Sequence, residues 1–179
     1  PEAFPAAIIK TDHLDEAFAQ FSIGKSHTRL EKMLLLSISD ALVKSDLDVR
    51  SERTAIMLSS TKGNIDLMAA DPLKTFKKDR VQLWRLGQII TDYFGNPNQP
   101  IVVSNACISG VLALNAANML IENGTYDHVI VSGGDIVSRF VVSGFMSFLS
   151  LSPTTCKPFD KDRDGLSLGE AASTIILSK

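Results

Sequence analysis

The fold is decided by the stretch Ile101-Val102-Val103-Ser104-Asn105-Ala106-Cys107-Ile108-Ser109-Gly110. It begins with three β-branched apolar residues, which predict a buried strand over residues 101–104. Apolar residues then recur at helical spacing, which predicts a helix over residues 108–123. Its strongly polar positions past the first turn lie on one stripe, so we expect this helix to be buried on most sides. Those positions are Asn115, Asn118 and Glu122.

Strands and helices alternate on both sides of this stretch. Strands are predicted over residues 54–59, 129–132 and 173–177. Helices are predicted over residues 26–42, from Asp71-Pro72 to Phe94 with Gly95 as the stop, and over residues 140–149. Residues 1–25 are expected to be irregular apart from a short helix over residues 15–21. The alternation is typical of an α/β domain with a mostly parallel mixed sheet and helices on both faces.

The composition limits the classes of protein to which the chain could belong. Its 179 residues suit one domain, and its formal net charge of −2 argues against a nucleic-acid binder. No apolar run reaches the ~18 residues that a membrane span needs, and no leader is visible at the start. Two cysteines cannot form a disulfide framework. We expect a cytoplasmic domain that binds neither nucleic acid nor membrane.

Cys107 is the residue with the clearest chemical potential. The free amides of a helix N-terminus favour negative charge, so a thiol placed there becomes a nucleophile near neutral pH. Gly110, which lacks a side chain close to the turn, would let an acyl group or a backbone approach. An inert buried cysteine is an equally good interpretation from position alone, because free cysteines are commonly buried.

Three segments resemble the β-ketoacyl synthases, the condensing enzymes of fatty-acid and polyketide synthesis. The segment Ala106–Gly110 resembles their nucleophile motif. The segments 131–135, with paired glycines, and 157–171, with Lys-Pro-Phe-Asp and Gly-Glu-Ala, follow in the family's order. The resemblance is clear over residues 100–179 and weaker over 28–99. It implies that residues 26–179 form the thiolase-like N-terminal domain of a ketoacyl synthase, and that the C-terminal half of such an enzyme is absent from this sequence.

The resemblance also implies a mechanism and partners. Cys107 would accept an acyl group from acyl carrier protein or coenzyme A, and its backbone N–H would be one oxyanion-hole donor. Malonyl thioester would then lose carbon dioxide, and its carbanion would attack the acyl-cysteine. No cofactor or metal is expected, since phosphopantetheine arrives with the substrate. We expect a homodimer or a partner chain that supplies the missing half.

The family's two catalytic histidines have no counterpart in this sequence. His13 and His27 precede the core, and His128 begins a strand, where a surface role is the better interpretation. We therefore predict that the chain alone does not condense thioesters. Two other functions stay open, namely a non-catalytic scaffold or chain-length partner, which would usually lack the cysteine, and a thiolase-type coenzyme-A condensing enzyme.

Further residues are weaker candidates. Ser109, Gly110, Phe145 and Phe148 are interpreted as possible pocket residues, although the apolar cluster of residues 140–149 is more typical of core. Arg163 and the carboxylates around it are expected to form a charge-paired structural loop near the site. Those carboxylates are Asp160, Asp164 and Glu170. The Asp160–Gly165 pattern also imitates a calcium loop, but Ala171 stands where an EF-hand requires glutamate, so calcium is rejected.

A basic run and a second thiol complete the candidates. The run consists of Lys74, Lys77, Lys78 and Arg80. It is interpreted as a solvated helix face, with a contact for an acidic acyl carrier protein as the alternative. Cys156 is interpreted as an incidental thiol, and a Cys107–Cys156 disulfide is not expected in a reducing compartment.

Overall fold

The computed structural model describes residues 3–21, 26–69 and 76–179. Six strands alternate with five α-helices within these ranges. In chain order they are β1 (Ala6–Ala7), α1 (Thr11–Ala19), α2 (Arg29–Val43), β2 (Thr54–Ser59), α3 (Leu83–Phe94), β3 (Ile101–Val103), α4 (Ser109–Glu122), β4 (His128–Asp135), α5 (Arg139–Ser147), β5 (Leu168–Gly169) and β6 (Ala171–Ser178). Among the described residues before α3, Ile65–Met68 and Lys78–Val81 form short 3-10 turns.

Four strands form the main sheet in the order β3-β2-β4-β6. Strands β3, β2 and β4 are parallel, and β6 runs antiparallel to β4 with Ile130 opposite Ile176. Strands β1 and β5 form a separate two-stranded parallel pair. The predicted α/β class with a mostly parallel mixed sheet is confirmed. Because β2, β3 and β4 are parallel, their carboxyl ends meet at one edge, which we call the carboxyl edge.

Alternate side chains of β2 point to opposite faces of the sheet and pack into two separate hydrophobic cores. Ile56 and Leu58 face α2 and α3, and Ala55 and Met57 face α4. All six residues of β2 are buried, which fits a central strand covered on both faces. Helices thus cover both faces of the sheet, as predicted.

Local signals explain the start of α2 and the end of α3. Thr28 and Glu31 form a reciprocal capping box at the start of α2. Gly95 ends α3 in the left-handed conformation, with φ 65°. The predicted start at Asp71-Pro72 lies outside the described residues. The prediction that this helix includes residues 76–82 was wrong, because a 3-10 turn occupies Lys78–Val81 and α3 begins only at Leu83.

The N-terminal segment is more regular than the sequence indicated. A short strand occupies Ala6–Ala7, and the helix begins at Thr11 and ends at Ala19, earlier than the predicted residues 15–21. Leu14 and Phe18 of α1 are buried in the core on the α2 side, so tertiary packing stabilises a helix with a weak local pattern.

Two burial predictions were wrong. Strand β3 lies at the edge of the sheet, and all three of its residues are half-buried rather than buried. Helix α4 buries only Ser109, Ala113 and Ala117, so it is not buried on most sides. Its apolar composition reflects an outward face that nothing in the described chain covers. None of the described helices is long and apolar enough to cross a lipid bilayer.

Candidate functional site

The turn between β3 and α4 carries Cys107. The residue is exposed and lies two positions before Ser109, the first residue of the helix. The preceding residue, Ala106, has φ 43°, which a residue with a side chain rarely adopts. Backbone strain of this kind persists where the surrounding structure holds it, and it is concentrated at functional sites. Cys107 is thus exposed at the carboxyl edge, just before the N-terminus of α4.

Ser109 holds this turn together. Its hydroxyl donates to the carbonyl of Ala106 at 2.7 Å and accepts from the backbone N–H of Asn105 at 2.8 Å. Both bonds close the loop that contains Cys107, and Ser109 itself is buried. The structure therefore places this predicted pocket residue against the backbone of the turn.

Two glycines face the hydroxyl of Ser59, the last residue of β2. A Cβ atom added to Gly110 would lie 4.0 Å from Ser59 Oγ, and one added to Gly133 would lie only 2.6 Å from it. A side chain at Gly133 would therefore displace Ser59. Gly133, in the paired-glycine segment noted in the sequence, therefore allows the end of β2 to pack closely beside β4, near the Cys107 turn.

Glu170 is the most thoroughly bonded of the predicted loop residues. Its side chain is 2% exposed and forms an ion pair with Arg29 at 2.6 Å. It also accepts from the backbone N–H groups of Ile9 and Val137. Glu170 thereby joins the N-terminal segment, α2 and the residues after β4. Sequence reasoning missed Arg29, which lies 141 residues away along the chain.

The loop before β5 is held by hydrogen bonds among its own side-chain and backbone atoms. Asp164 accepts from the hydroxyl of Ser152 at 2.7 Å, and Asp160 accepts from the backbone N–H of Asp162 at 2.9 Å. Arg163 donates to the main-chain carbonyl of Asp160. The predicted pairing of Arg163 with carboxylates was wrong within the described chain, because its guanidinium bonds to a peptide oxygen.

Gly165 is required by this loop. Its φ is 149°, and an added Cβ would lie 2.4 Å from the backbone nitrogen of Ser152. The loop can close against residues 151–152 only because position 165 has no side chain. Across the described ranges, no three or more His, Cys, Asp or Glu side chains gather where a metal ion could bind.

The aromatic residues of α5 are not core. This helix has no buried residue, and Phe148 and Leu149 at its end are 80% and 91% exposed. Phe140 is also exposed, whereas Phe145 is half-buried. The helical spacing of these residues indicated an apolar face correctly, but in the described chain that face is at most half-buried.

The members of the basic run differ in their surroundings. Arg80 forms an ion pair at 2.6 Å with Glu31, whose side chain is fully buried, so the interpretation of Arg80 as part of a solvated face was wrong. Its guanidinium also lies over the ring of Phe76. Lys77 and Lys78 are exposed, and Lys74 lies outside the described residues.

The three histidines lie away from the Cys107 turn. His128 begins β4 at the end of the sheet opposite the carboxyl edge, where its Nδ1 is 2.9 Å from Ser178 Oγ. His27 packs edge-on against Phe18 and Tyr93, and His13 is exposed on α1. Cys156 is half-buried, and both cysteines are free thiols.

Comparison with known proteins gives a consistent result. Residues 5–179 match the family model described as the N-terminal domain of β-ketoacyl synthase. A 3-oxoacyl-[acyl-carrier-protein] synthase 2 of Staphylococcus aureus is 23% identical over 187 aligned positions. The alignment covers 93% of this chain but 45% of that protein, so the chain spans less than half the length of this relative. A probable polyketide synthase 7 of Dictyostelium discoideum is 26% identical and is covered over 7% of its length.

Solved structures share the fold. A β-ketoacyl synthase from Burkholderia phymatum superposes with a TM-score of 0.73 at 20% identity, covering 85% of this chain and 42% of that one. A ketosynthase from Xenorhabdus doucetiae, solved in complex with its chain length factor, gives a TM-score of 0.71 at 26% identity. The alignment covers 98% of this chain and 45% of that one.

Proposed function

Because this chain belongs to the β-ketoacyl synthase family, we propose that Cys107 is the acyl-accepting nucleophile of a condensing enzyme in fatty-acid or polyketide synthesis. The observation that carries the proposal is the position of Cys107, which is exposed at the carboxyl edge in a strained turn that leads directly into α4. A thiol at a helix start is favoured as a nucleophile because the helix amides stabilise negative charge.

The proposed step is a transfer between thioesters. The Cys107 thiolate attacks the acyl carbonyl, a new carbon–sulfur bond forms, and the bond to the carrier's sulfur breaks. The carrier leaves as a thiolate and takes up a proton. The backbone N–H of Cys107 is proposed as one donor to the oxyanion that develops on the carbonyl. The second thioester, malonyl, then loses carbon dioxide, and its carbanion displaces Cys107 from the acyl group.

We propose that the chain by itself stops after the first step. The groups that promote decarboxylation in the resembled family are histidines, and the three histidines here lie away from Cys107 or in other contacts. The incoming acyl group is proposed to arrive on acyl carrier protein or on coenzyme A, so no resident cofactor or metal is invoked. A reducing compartment such as the cytoplasm suits the reaction, since Cys107 must remain a free thiol.

A partner chain or a second copy is part of the proposal. Helix α4 exposes apolar residues beside the Cys107 turn, and β3 presents an unpaired edge next to it. Since no strand of the described residues pairs with that edge, these features support association on the α4 side, by a homodimer or by a chain that supplies the remaining catalytic groups. The non-catalytic scaffold and the thiolase-type enzyme are the competing functions. The exposed thiol argues against the former, and the Asp160–Gly165 loop argues against the latter.

Acylation of the isolated chain tests the proposal. Wild type, Cys107→Ala and Cys156→Ala are incubated with butyryl-coenzyme A and with butyryl-acyl carrier protein, and the acyl mass is located by peptide mass spectrometry. We expect acylation at Cys107 in wild type and Cys156→Ala and none in Cys107→Ala. Iodoacetamide should likewise modify Cys107 much faster than Cys156. Equal, slow modification of both thiols would favour the scaffold function.

A second assay tests whether the chain is sufficient. With acyl and malonyl carrier protein supplied together, we expect acyl-Cys107 to accumulate without any ketoacyl product. Detection of ketoacyl product from the isolated chain would contradict the claim that further groups must come from outside it.

A further inference from the structure

Asp135 ends β4 at the carboxyl edge and is not used by the steps above. Its backbone is held by β6, because it pairs with Ala171 in the antiparallel register. Its Oδ1 accepts from the hydroxyl of Ser60 at 2.8 Å, and from the backbone N–H and hydroxyl of Thr61 at 3.0 and 2.9 Å. A carboxylate suits this position because one of its oxygens accepts from all three donors.

The segment Ser60–Thr61 extends this anchor to β3. The N–H of Ser60 donates to the carbonyl of Val103 at 3.4 Å, and the hydroxyl of Ser104 donates to the carbonyl of Thr61 at 3.3 Å. Thr61 therefore bonds to Asp135 through its two donors and to Ser104 through its acceptor. The bonds run from the end of β4, past the end of β2, to the residues that enter the Cys107 turn.

The turn needs support at both ends. The bonds of Ser109 close its helical end, but Ala106 remains in a backbone conformation that residues with side chains rarely adopt. Such a conformation persists only when neighbouring contacts over-determine it. Ser104 lies at the strand end of the turn, three residues before Cys107, and its hydroxyl reaches the segment that Asp135 holds.

We propose that Asp135 is a positioning residue for Cys107, acting through Ser60, Thr61 and Ser104. This inference rests on the proposed function of Cys107. Without the carboxylate, the donors of Ser60 and Thr61 turn to water, the segment loosens, and the Cys107 turn samples more orientations. Transfer of an acyl group needs the sulfur aligned with the carbonyl, so the transfer slows, while binding of the thioester is unchanged.

The first test measures acylation of Cys107 by butyryl-coenzyme A over a range of concentrations in Asp135→Ala and Asp135→Asn. We expect the maximal rate of Asp135→Ala to fall at least tenfold, with the half-saturating concentration within twofold of wild type. Asp135→Asn should fall about threefold, because its amide oxygen still accepts from the Thr61 N–H. If Asp135→Ala does not fold, the threefold loss in Asp135→Asn decides the matter.

The matched control is Asp127→Asn. Asp127 directly precedes β4 at the opposite end of the sheet, where it pairs with Arg53 at 2.9 Å. This substitution also removes a bonded carboxylate next to β4, so it reports any general loss of stability. We expect its maximal acylation rate to stay within twofold of wild type. Equal maximal rates in Asp127→Asn and both Asp135 variants would overturn the inference.

Hydrogen exchange separates this inference from the proposed function. In the Asp135 variants, amides in peptides 57–63 and 103–110 should exchange at least threefold faster, and in Asp127→Asn only peptides near residues 53 and 125 should change. If wild-type Cys107 is not acylated but this pattern holds, the proposed function fails and the coupling of Asp135 to the turn stands. Unchanged exchange over residues 103–110 in both Asp135 variants overturns the coupling, whatever the acylation result.

Discussion

The two faces of the sheet are closed in different ways. On one face, α2 buries large side chains such as Leu30, Leu34 and Leu35 against Ile56 and neighbouring sheet residues. On the other, α4 contributes the small residues Ala113 and Ala117. Outward from these alanines, Val111 and Met119 remain 69% and 53% exposed.

This difference in packing indicates that the α2 face and the α4 face contribute to different properties of the protein. The α2 face has the large buried volume that provides most of the stability of a domain. The α4 face has a thin layer of small side chains, carries Cys107 just before the helix starts, and exposes apolar surface on its outside, where we propose that another chain binds. If this division is correct, substitutions on the α2 face change mainly stability, and substitutions on the outside of α4 change mainly association.

The largest expected effect is the removal of core volume on the α2 face. Leu35 is fully buried, so Leu35→Ala should lower the free energy of unfolding by about 3 kcal/mol through lost apolar contact and a residual cavity. Urea denaturation measures this loss. Leu36→Ala, at a half-buried neighbour, is the control and should cost clearly less. Similar losses in both variants would contradict the idea that this face is tightly packed.

The next effect comes from overfilling the α4 face. Ala113 is fully buried against the sheet, so Ala113→Leu should destabilise the chain by about 2 kcal/mol because the helix must move outward. Asn115→Leu adds the same side chain at an exposed position of α4 and should be tolerated. Acylation of Cys107 should also slow in Ala113→Leu. An unchanged free energy of unfolding in Ala113→Leu would show that the space between α4 and the sheet can accommodate a larger side chain.

A smaller effect, in the pH dependence of stability, distinguishes Asp66 from Asp127. Burial raises the pKa of Asp66 above its ordinary 3.8, while the hydrogen bond from Arg53 lowers the pKa of Asp127. The stability that protonated Asp66 contributes is present below pH 3.8 and is lost as pH rises through its raised pKa. The contribution of ionised Asp127 is present above pH 3.8 and is lost as pH falls through its lowered pKa.

Urea denaturation of Asp66→Asn and Asp127→Asn between pH 3 and pH 6 measures both contributions. Relative to wild type, Asp66→Asn should gain stability as pH rises, and Asp127→Asn should lose it. Added salt should shrink the Asp127 difference more, since the Arg53–Asp127 pair is exposed. Trends of the same sign in both variants would contradict the assignment.

The smallest expected change in stability lies on the outside of α4. Val111→Asp should alter the free energy of unfolding by no more than about 0.5 kcal/mol, because the side chain is exposed. It should nevertheless weaken self-association, which light scattering after size-exclusion chromatography measures. Val43→Asp changes an exposed valine on α2 and should leave association unchanged. Equal association of both variants and wild type would remove α4 from the interface.

Local patterns predicted much of the fold. The boundaries of β2 are those predicted, α2 and β6 lie within a few residues of their predictions, and the cysteine does stand between a strand and a helix. Periodicity and caps act over a few residues, so they are readable in sequence. The extent of burial of α4 was not readable, because apolar composition does not tell whether another element covers a helix.

Contacts between distant residues account for what was missed at the candidate site. The bonds from Asp135 to Ser60 and from Arg29 to Glu170 join residues 75 and 141 positions apart. Nothing in the spacing of those residues indicates their meeting. Similarly, the sequence placed Arg80 in a solvated basic run. The structure shows instead that Arg80 forms an ion pair with the buried Glu31, which lies 49 residues away.

The amino-acid sequence by itself determined the order of strands and helices and the residue that stands at their chemically important junction, because apolar spacing, capping residues and glycines act locally. Only the tertiary structure decided which side chains support that junction and which helix face stays uncovered. Parallel strands bring their carboxyl ends together regardless of separation along the chain, and bonds such as those of Asp135 form only once that sheet is assembled.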